Sequence, residues 1–145
     1  MGRTYTVNVV HCVFSTKQRK PLIAAPAKLW NYVRGIGRNI GVNVIAVGGT
    51  ADHVHLLLAV PPTVTVAQIM QDLKTNSSRH LNEEHRGFGW QDGYAAISVS
   101  PSQSHRVVAY IEHQVEHHRV RTFEEEYVAM LDRSGVQYDS SHLLD

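Results

Sequence analysis

The sequence predicts an α+β fold: a four-stranded antiparallel sheet in β-α-β-β-α-β order, with helices on one face and further helices at the C-terminus. Three observations predict it. Four segments have strand character, rich in β-branched residues. Two segments lying between them repeat apolar residues at helical spacing. The chain has 145 residues, a length that suits one core, so residues 1–145 are expected to form a single domain.

Residues 4–15, TYTVNVVHCVFS, alternate and are rich in Val and Thr, as a half-buried strand should be. STKQRKP follows as a basic loop. Residues 26–40 read as a helix, with Pro26 in its first turn, Gly41 at its end and Leu29, Trp30, Val33 and Ile36 at helical spacing. VNVIAVG (42–48) reads as a strand, GGTAD as a turn and HVHLLLAV (53–60) as a second strand, ended by Pro61 and Pro62. Thr65 with Gln68 forms a capping-box pattern. The helix behind it, to about residue 82, buries Val66, Ile69, Met70, Leu73 and Leu81. RGFGWQDGY is a Gly-rich loop carrying aromatics. AAISVS (95–100) is the last strand, residues 104–118 and 123–133 are helical, and the tail from Ser134 is polar. This order is the split βαβ, ferredoxin-like pattern, which hosts many functions and cannot name one.

Apolar residues at 43 % and charged residues at 19 % exclude a disordered, collagen-like or disulfide-scaffold chain. No apolar run reaches the ~18 residues of a membrane helix, and the N-terminus lacks a signal peptide's apolar block. One cysteine, Cys12, cannot form an internal disulfide, so a cytoplasmic location is expected. The net charge of +1 hides an asymmetry. Residues 1–51 carry seven basic and no acidic residues (+7), against seven basic and thirteen acidic in the remainder (−6). Such a basic front suits a polyanion.

His53 and His55 lie two apart in a strand, so both leave one face while Val54 points into the core. Two imidazoles about 6–7 Å apart along a strand can converge on one divalent ion. The same H-x-H also fits two histidines on an open sheet face. Asp52 is placed to orient an imidazole. The apolar-spaced triple His of histidine-triad nucleotide hydrolases is not met, because Leu57 holds the third place.

At about 100° per residue, the 104–118 helix sets Val107, Val108, Ile111 and Val115 on one side. Arg106, Tyr110, His113, Gln114 and His117 fall on the other. Tyr110 and Gln114 are i and i+4, one turn apart. That face suits either a solvated surface with a packed tyrosine or a phenol beside an amide ligand. A tyrosine oxygen can act as a nucleophile on phosphorus, with a metal to polarise the phosphoryl group.

These residues resemble the single-tyrosine HUH (His-hydrophobic-His) transposases of small bacterial insertion sequences, the IS200-like family, over nearly the whole chain. HCVFSTKQRKPLI is similar to the family's first strand and basic loop, ADHVHLLLAVPP to its metal-binding strand and QDLKTNSSRHL to its DNA-facing helix. GYAAISVS followed by YIEHQVEHH resembles its last strand and tyrosine helix, and EEEYVAMLDRSGVQYD its C-terminal segment. H-V-H followed about 55 residues later by Y-x-x-x-Q is the most specific signal. The tail SSHLLD departs from the family in lacking an aromatic.

The resemblance implies an HUH nuclease fold and a transposase that cuts and rejoins single-stranded DNA at hairpin-marked ends through a 5′-phosphotyrosine. It implies His53, His55 and Gln114 as ligands of Mg²⁺ or Mn²⁺, and Tyr110 as nucleophile. Lys17, Arg19, Lys20, Lys74 and Arg79 would hold DNA phosphates. It also implies a homodimer in which one subunit's tyrosine helix can complete the other's site. No P-loop is present, and no nucleotide cofactor or membrane is expected. The alternative is a non-catalytic or domesticated hairpin-binding protein derived from such a transposase. Phe88, Trp90 and Tyr94 suit either base stacking or core packing. Tyr127 and Tyr138 are the other candidate tyrosines. Glu124, Glu125 and Glu126 are expected as a solvated helix start, with His117 and His118 toward solvent.

Overall fold

The computed structural model describes residues 2–145. Its sheet has four antiparallel strands: β1 (Val9–Ser15), β2 (Asn43–Thr50), β3 (His53–Ala59) and β4 (Ala95–Val99), in the order β2-β3-β1-β4. This is the ferredoxin-like order expected from the sequence. Helices α1 (Pro26–Asn39) and α2 (Val66–Glu84) pack on one face. Helices α3 (Ser104–Glu112), α4 (Gln114–His117) and α5 (Phe123–Arg133) follow β4, with α3 and α5 packed on the opposite face.

Strand alternation divides the sheet into two chemistries. Val10, Cys12 and Phe14 of β1 and Val54, Leu56 and Leu58 of β3 join Leu29, Val33, Ile69, Met70 and Leu73 in the main core. The intervening residues of β1 and β3, among them His11, His53 and His55, leave the other face, where Val13 packs against α5 and Leu57 against α3. Here a register shift between Val44 and Ala46 interrupts the β2–β3 pairing. The extra residue lets Val44 and Val47 both reach the main core, while Ala46 packs beside Ile111. At Gly48 a Cβ would collide with the carbonyl oxygen of Ile111. Glycine is required there for α3 to approach the sheet.

Several expectations are corrected. The first strand begins at Val9, not at residue 4: residues 2–8 are exposed, Tyr5 at 85 %. Alternation without a pairing neighbour does not make a strand. The 104–118 helix is interrupted at His113 (φ −111°, ψ 32°). The break rotates the segment behind it, so Val115 leaves the core stripe and is exposed. At Thr65 only half of the capping box forms: its hydroxyl accepts the Gln68 N–H at 3.1 Å, while Gln68 turns its amide to Asp72. No helix among the described residues is long and apolar enough to cross a membrane.

Candidate metal and nucleophile site

The H-V-H strand carries the site. His53 and His55 are 0 % and 1 % exposed, so they are not surface histidines. Phe123 of α5, stacked on His53 at 4.3 Å, and the Gln114 and Glu126 side chains from the helices packed over this face cover them. The chain turns tightly at Ala51–Asp52, which brings the Asp52 carboxylate back to its neighbour: His53 donates Nδ1–H to Asp52 Oδ1 at 2.8 Å, and Thr50 donates its hydroxyl to the same oxygen at 3.0 Å. Burial is the largest single influence and opposes the Asp52 charge, but the hydrogen bonds from His53 and Thr50 and the nearby positive charge of Arg19 together outweigh it and hold the carboxyl below its ordinary range. The proton on Nδ1 leaves the His53 Nε2 lone pair free.

That lone pair faces Gln114 Oε1 at 3.0 Å. The amide is set by its other end, because Gln114 Nε2 donates to the Tyr110 carbonyl at 3.2 Å. Two acceptors thus point at each other in a buried space, an arrangement that calls for a proton or a cation between them. His55 Nε2 lies 2.9 Å from Glu126 Oε1, and that oxygen is 3.8 Å from His53 Nε2. Ligand atoms of His53, His55 and Glu126 all fall within 4.8 Å of one another. Two imidazole nitrogens, a carboxylate oxygen and an amide oxygen form a mixed set that fits a divalent ion.

Tyr110, from α3, is half-buried and donates its hydroxyl to Glu126 Oε2. Burial and this bond to a carboxylate both push the phenol pKa up. Burial works against the Glu126 charge, but hydrogen bonds from His55 and Tyr110 prevail and hold the carboxyl well below its usual range. Burial pushes His55 down, against the Glu126 carboxylate, which pulls it up. The Tyr110 ring stacks on His117 at 4.6 Å.

His53, His55, Gln114 and Tyr110 are therefore brought together as expected. Three placements differ from expectation. Glu126 is 4 % exposed and sits at the centre of the site, while Glu124 and Glu125 are exposed. His118 faces the site rather than solvent, its Nε2 at 3.2 Å from both Gln114 Oε1 and Glu126 Oε1. His117 is partly buried against Tyr110. The sequence held a signal for Glu126. Phe123, Tyr127 and Met130 are buried, and position 126 lies inside that i, i+4, i+7 stripe.

The basic residues divide. Lys17, Lys20 and Arg79 are exposed. Arg19 lies 3.8 Å from Asp52 and 3.6 Å from Glu124, tying the basic loop to the start of α5. Lys74 donates to the carbonyls of Gln91, Asp92 and Gly93 at 2.6, 3.1 and 2.8 Å. Among the aromatics, Trp90 is a core plug: it is 8 % exposed, packs against Phe14 and Phe88, and donates to Ser77. Tyr127 is buried in the α5 core, and Tyr138 bonds Asp132. Neither lies at the site.

Comparison with known proteins places this arrangement. The chain is 29 % identical over 117 residues to the transposase for insertion sequence element IS200 of Salmonella typhimurium, covering 73 % of this chain and 76 % of that protein. It is 28 % identical over 124 residues to the ISDra2 transposase TnpA of Deinococcus radiodurans, covering 78 % and 89 %. The crystal structure of a putative transposase from Deinococcus radiodurans superposes with a TM-score of 0.63 at 26 % identity, over 79 % of this chain and 96 % of that one. A REP-associated tyrosine transposase bound to a REP hairpin shares the fold, with a TM-score of 0.57 at 14 % identity over 77 % of this chain and 68 % of that one. Residues 4–114 match the family described as Transposase IS200 like, and this chain belongs to that family.

Proposed function

We propose that this chain cuts and rejoins single-stranded DNA at hairpin-marked element ends, with Tyr110 as nucleophile and a divalent ion, Mg²⁺ or Mn²⁺, held by His53, His55 and Gln114 with Glu126 as a further ligand. One observation carries the reading: the Tyr110 hydroxyl and His55 Nε2 share the Glu126 carboxylate. The nucleophile and the ion's donor set are thereby parts of one cluster. The hairpin bound to the REP-associated relative agrees with the substrate class.

The chain's own groups account for the chemistry as follows. The Tyr110 oxygen attacks a backbone phosphorus and the bond to the 3′-oxygen breaks. A 3′-hydroxyl is released, and the 5′ side stays on Tyr110 as a phosphotyrosine ester. The phenol proton, held at rest by Glu126 Oε2, ends on the 3′-oxygen, so atoms and charge balance. Bound in the cluster, the ion supplies Lewis-acid polarisation of the phosphoryl oxygen. The ester retains bond energy, so another strand's 3′-hydroxyl can displace Tyr110 without a nucleotide cofactor. Asp52 fixes His53, and Gln114 ties its amide to the Tyr110 backbone. Of the basic set, Lys17, Lys20 and Arg79 hold phosphates directly, while Arg19 and Lys74 fasten the loops beside them. Residues 1–145 act as one domain, in a cytoplasmic homodimer.

The test is a denaturing gel after incubation with hairpin-bearing single-stranded DNA and Mn²⁺. Wild type is expected to give a covalent adduct, and Tyr110→Phe none. The variant should still fold, since it loses one hydrogen bond to a charged group, about 1.5–3 kcal/mol. An adduct from Tyr110→Phe mapped to Tyr127 or Tyr138, or cleavage undiminished by excess EDTA, overturns the reading. Hairpin binding with no adduct from wild type assigns the chain to non-catalytic hairpin binding. Sedimentation of a fully active ~16 kDa particle overturns the homodimer.

A further inference from the structure

We propose that His11 is a positioning residue that sets the tautomer of His55 and so turns the His55 Nε2 lone pair toward the ion site. The inference rests on the metal site proposed above.

In the β1–β3 ladder His11 stands opposite Leu57 and Val13 opposite His55. His11 is thus the diagonal neighbour of His55 on the same face, within reach of a long side chain. The rings meet with centroids 5.1 Å apart, and His11 Nε2 lies 2.8 Å from His55 Nδ1. One proton lies between these two nitrogens, and its owner decides what His55 offers at its far side.

A neutral imidazole carries one N–H. When His55 gives Nε2–H to Glu126 Oε1, its Nδ1 is an acceptor and His11 donates. When Nε2 instead offers a lone pair to a cation, the His55 proton resides on Nδ1 and needs an acceptor. The atom in place is His11 Nε2, and His11 then carries its own proton on Nδ1. Among the described residues no group is hydrogen-bonded to His11 Nδ1, and His11 lines a cavity of about 220 Å³ with Gln103, Arg106, Tyr110 and Arg133. Water can exchange a proton there. The balance closes: the His55 Nε2 proton leaves to water, the His11 Nε2 proton crosses to His55 Nδ1, and a proton from water joins His11 Nδ1. Both rings stay neutral.

The two histidines of H-V-H are therefore held by different devices. Asp52 can only accept, which fixes His53 in one tautomer. His11 can donate or accept, which lets His55 bond Glu126 in one state and the ion in the other.

The test uses the full chain. Mn²⁺ affinity is read from the electron paramagnetic resonance of free Mn²⁺ for wild type, His11→Phe, His11→Gln and His53→Ala. His11→Phe leaves the His55 Nδ1–H without an acceptor and is expected to bind about 10–100-fold more weakly, the usual loss for a group that orients a ligand. The Gln amide can also donate or accept, so His11→Gln is expected to retain most of the affinity. In parallel, long-range ¹H–¹⁵N spectra of ¹⁵N-histidine-labelled wild type should show His11 passing from the Nε2–H to the Nδ1–H form on saturation with Mg²⁺. This second readout stands even if His11→Phe fails to fold. An unchanged His11 tautomer, or wild-type affinity in His11→Phe while His53→Ala fails to bind, overturns the inference alone. Wild-type affinity in His53→Ala overturns the metal site and, with it, the role of His11.

Discussion

Glu126 Oε1 lies 2.9 Å from His55 Nε2 across 71 residues of sequence, which joins α5 to the histidine cluster rather than leaving it a trailing helix. Truncation to Glu126→Ala strips the acceptor from the His55 imidazole and the Tyr110 hydroxyl, at a cost on the order of 1–3 kcal/mol for each buried group left unpaired. A lowered melting temperature and weaker Mn²⁺ binding are expected together. Unchanged Mn²⁺ affinity in a folded Glu126→Ala protein would exclude the carboxylate as a ligand.

The basic residues should separate in a salt titration of hairpin binding. Losing any of Lys17, Lys20 or Arg79 is expected to reduce the log–log salt slope by about 0.7 for a single-stranded site, one phosphate's share. Lys74→Met should leave that slope intact and instead lower stability, because the ammonium fastens three carbonyls of the 91–93 loop. A loss of about 0.7 in slope in Lys74→Met, with unchanged melting, would reverse this assignment.

At Gly48 the added methyl of Gly48→Ala meets the Ile111 carbonyl. Forcing α3 off the sheet should cost about 1–3 kcal/mol as overpacking does. It should also slow adduct formation at temperatures where the variant is still folded, because Tyr110 precedes Ile111 on that helix. Urea unfolding and adduct rate check the two effects. Wild-type values for both would show that the approach is not needed.

Cys12 is fully buried, and burial pushes its thiol up to about 12. A raised pKa means less thiolate at any pH below it. Alkylation by iodoacetamide should therefore stay slow in the native protein as the pH is raised from about 7 to 9, where a free thiol titrates, and become fast only in denaturant. Rapid native labelling that follows an ordinary thiol titration curve would contradict the packing of β1.

Much of this was legible in local pattern. The period-two placement of His53 and His55 fixes their common face whatever the fold does with it, and the strand and helix order gives the topology. The spacing of Tyr110 and Gln114 put them together for a reason that is only partly right, since the helix breaks at His113 and Gln114 turns inward from a separate turn. Glu126 was hidden by its neighbours. In a run of three glutamates only the stripe of Phe123, Tyr127 and Met130 singles out position 126, and that stripe does not say what the carboxylate meets. His11 was hidden likewise: its partner lies on another strand, and diagonal register is a property of pairing. Residues 4–8 misled in the opposite direction, having strand composition without a strand to pair with.

The alternation of β3 has a consequence for how the protein comes to exist. Val54, Leu56 and Leu58 enter the hydrocarbon core from the same strand that offers His53 and His55 to the other side. A pairing error of one residue would exchange these sets, driving imidazoles into the core and aliphatic groups into the reactive cluster. A misregistered chain could not hold an ion at all. With the proposed metal site, a divalent ion added during refolding is expected to act as a proofreader, because it adds binding free energy only to chains whose strands have paired correctly.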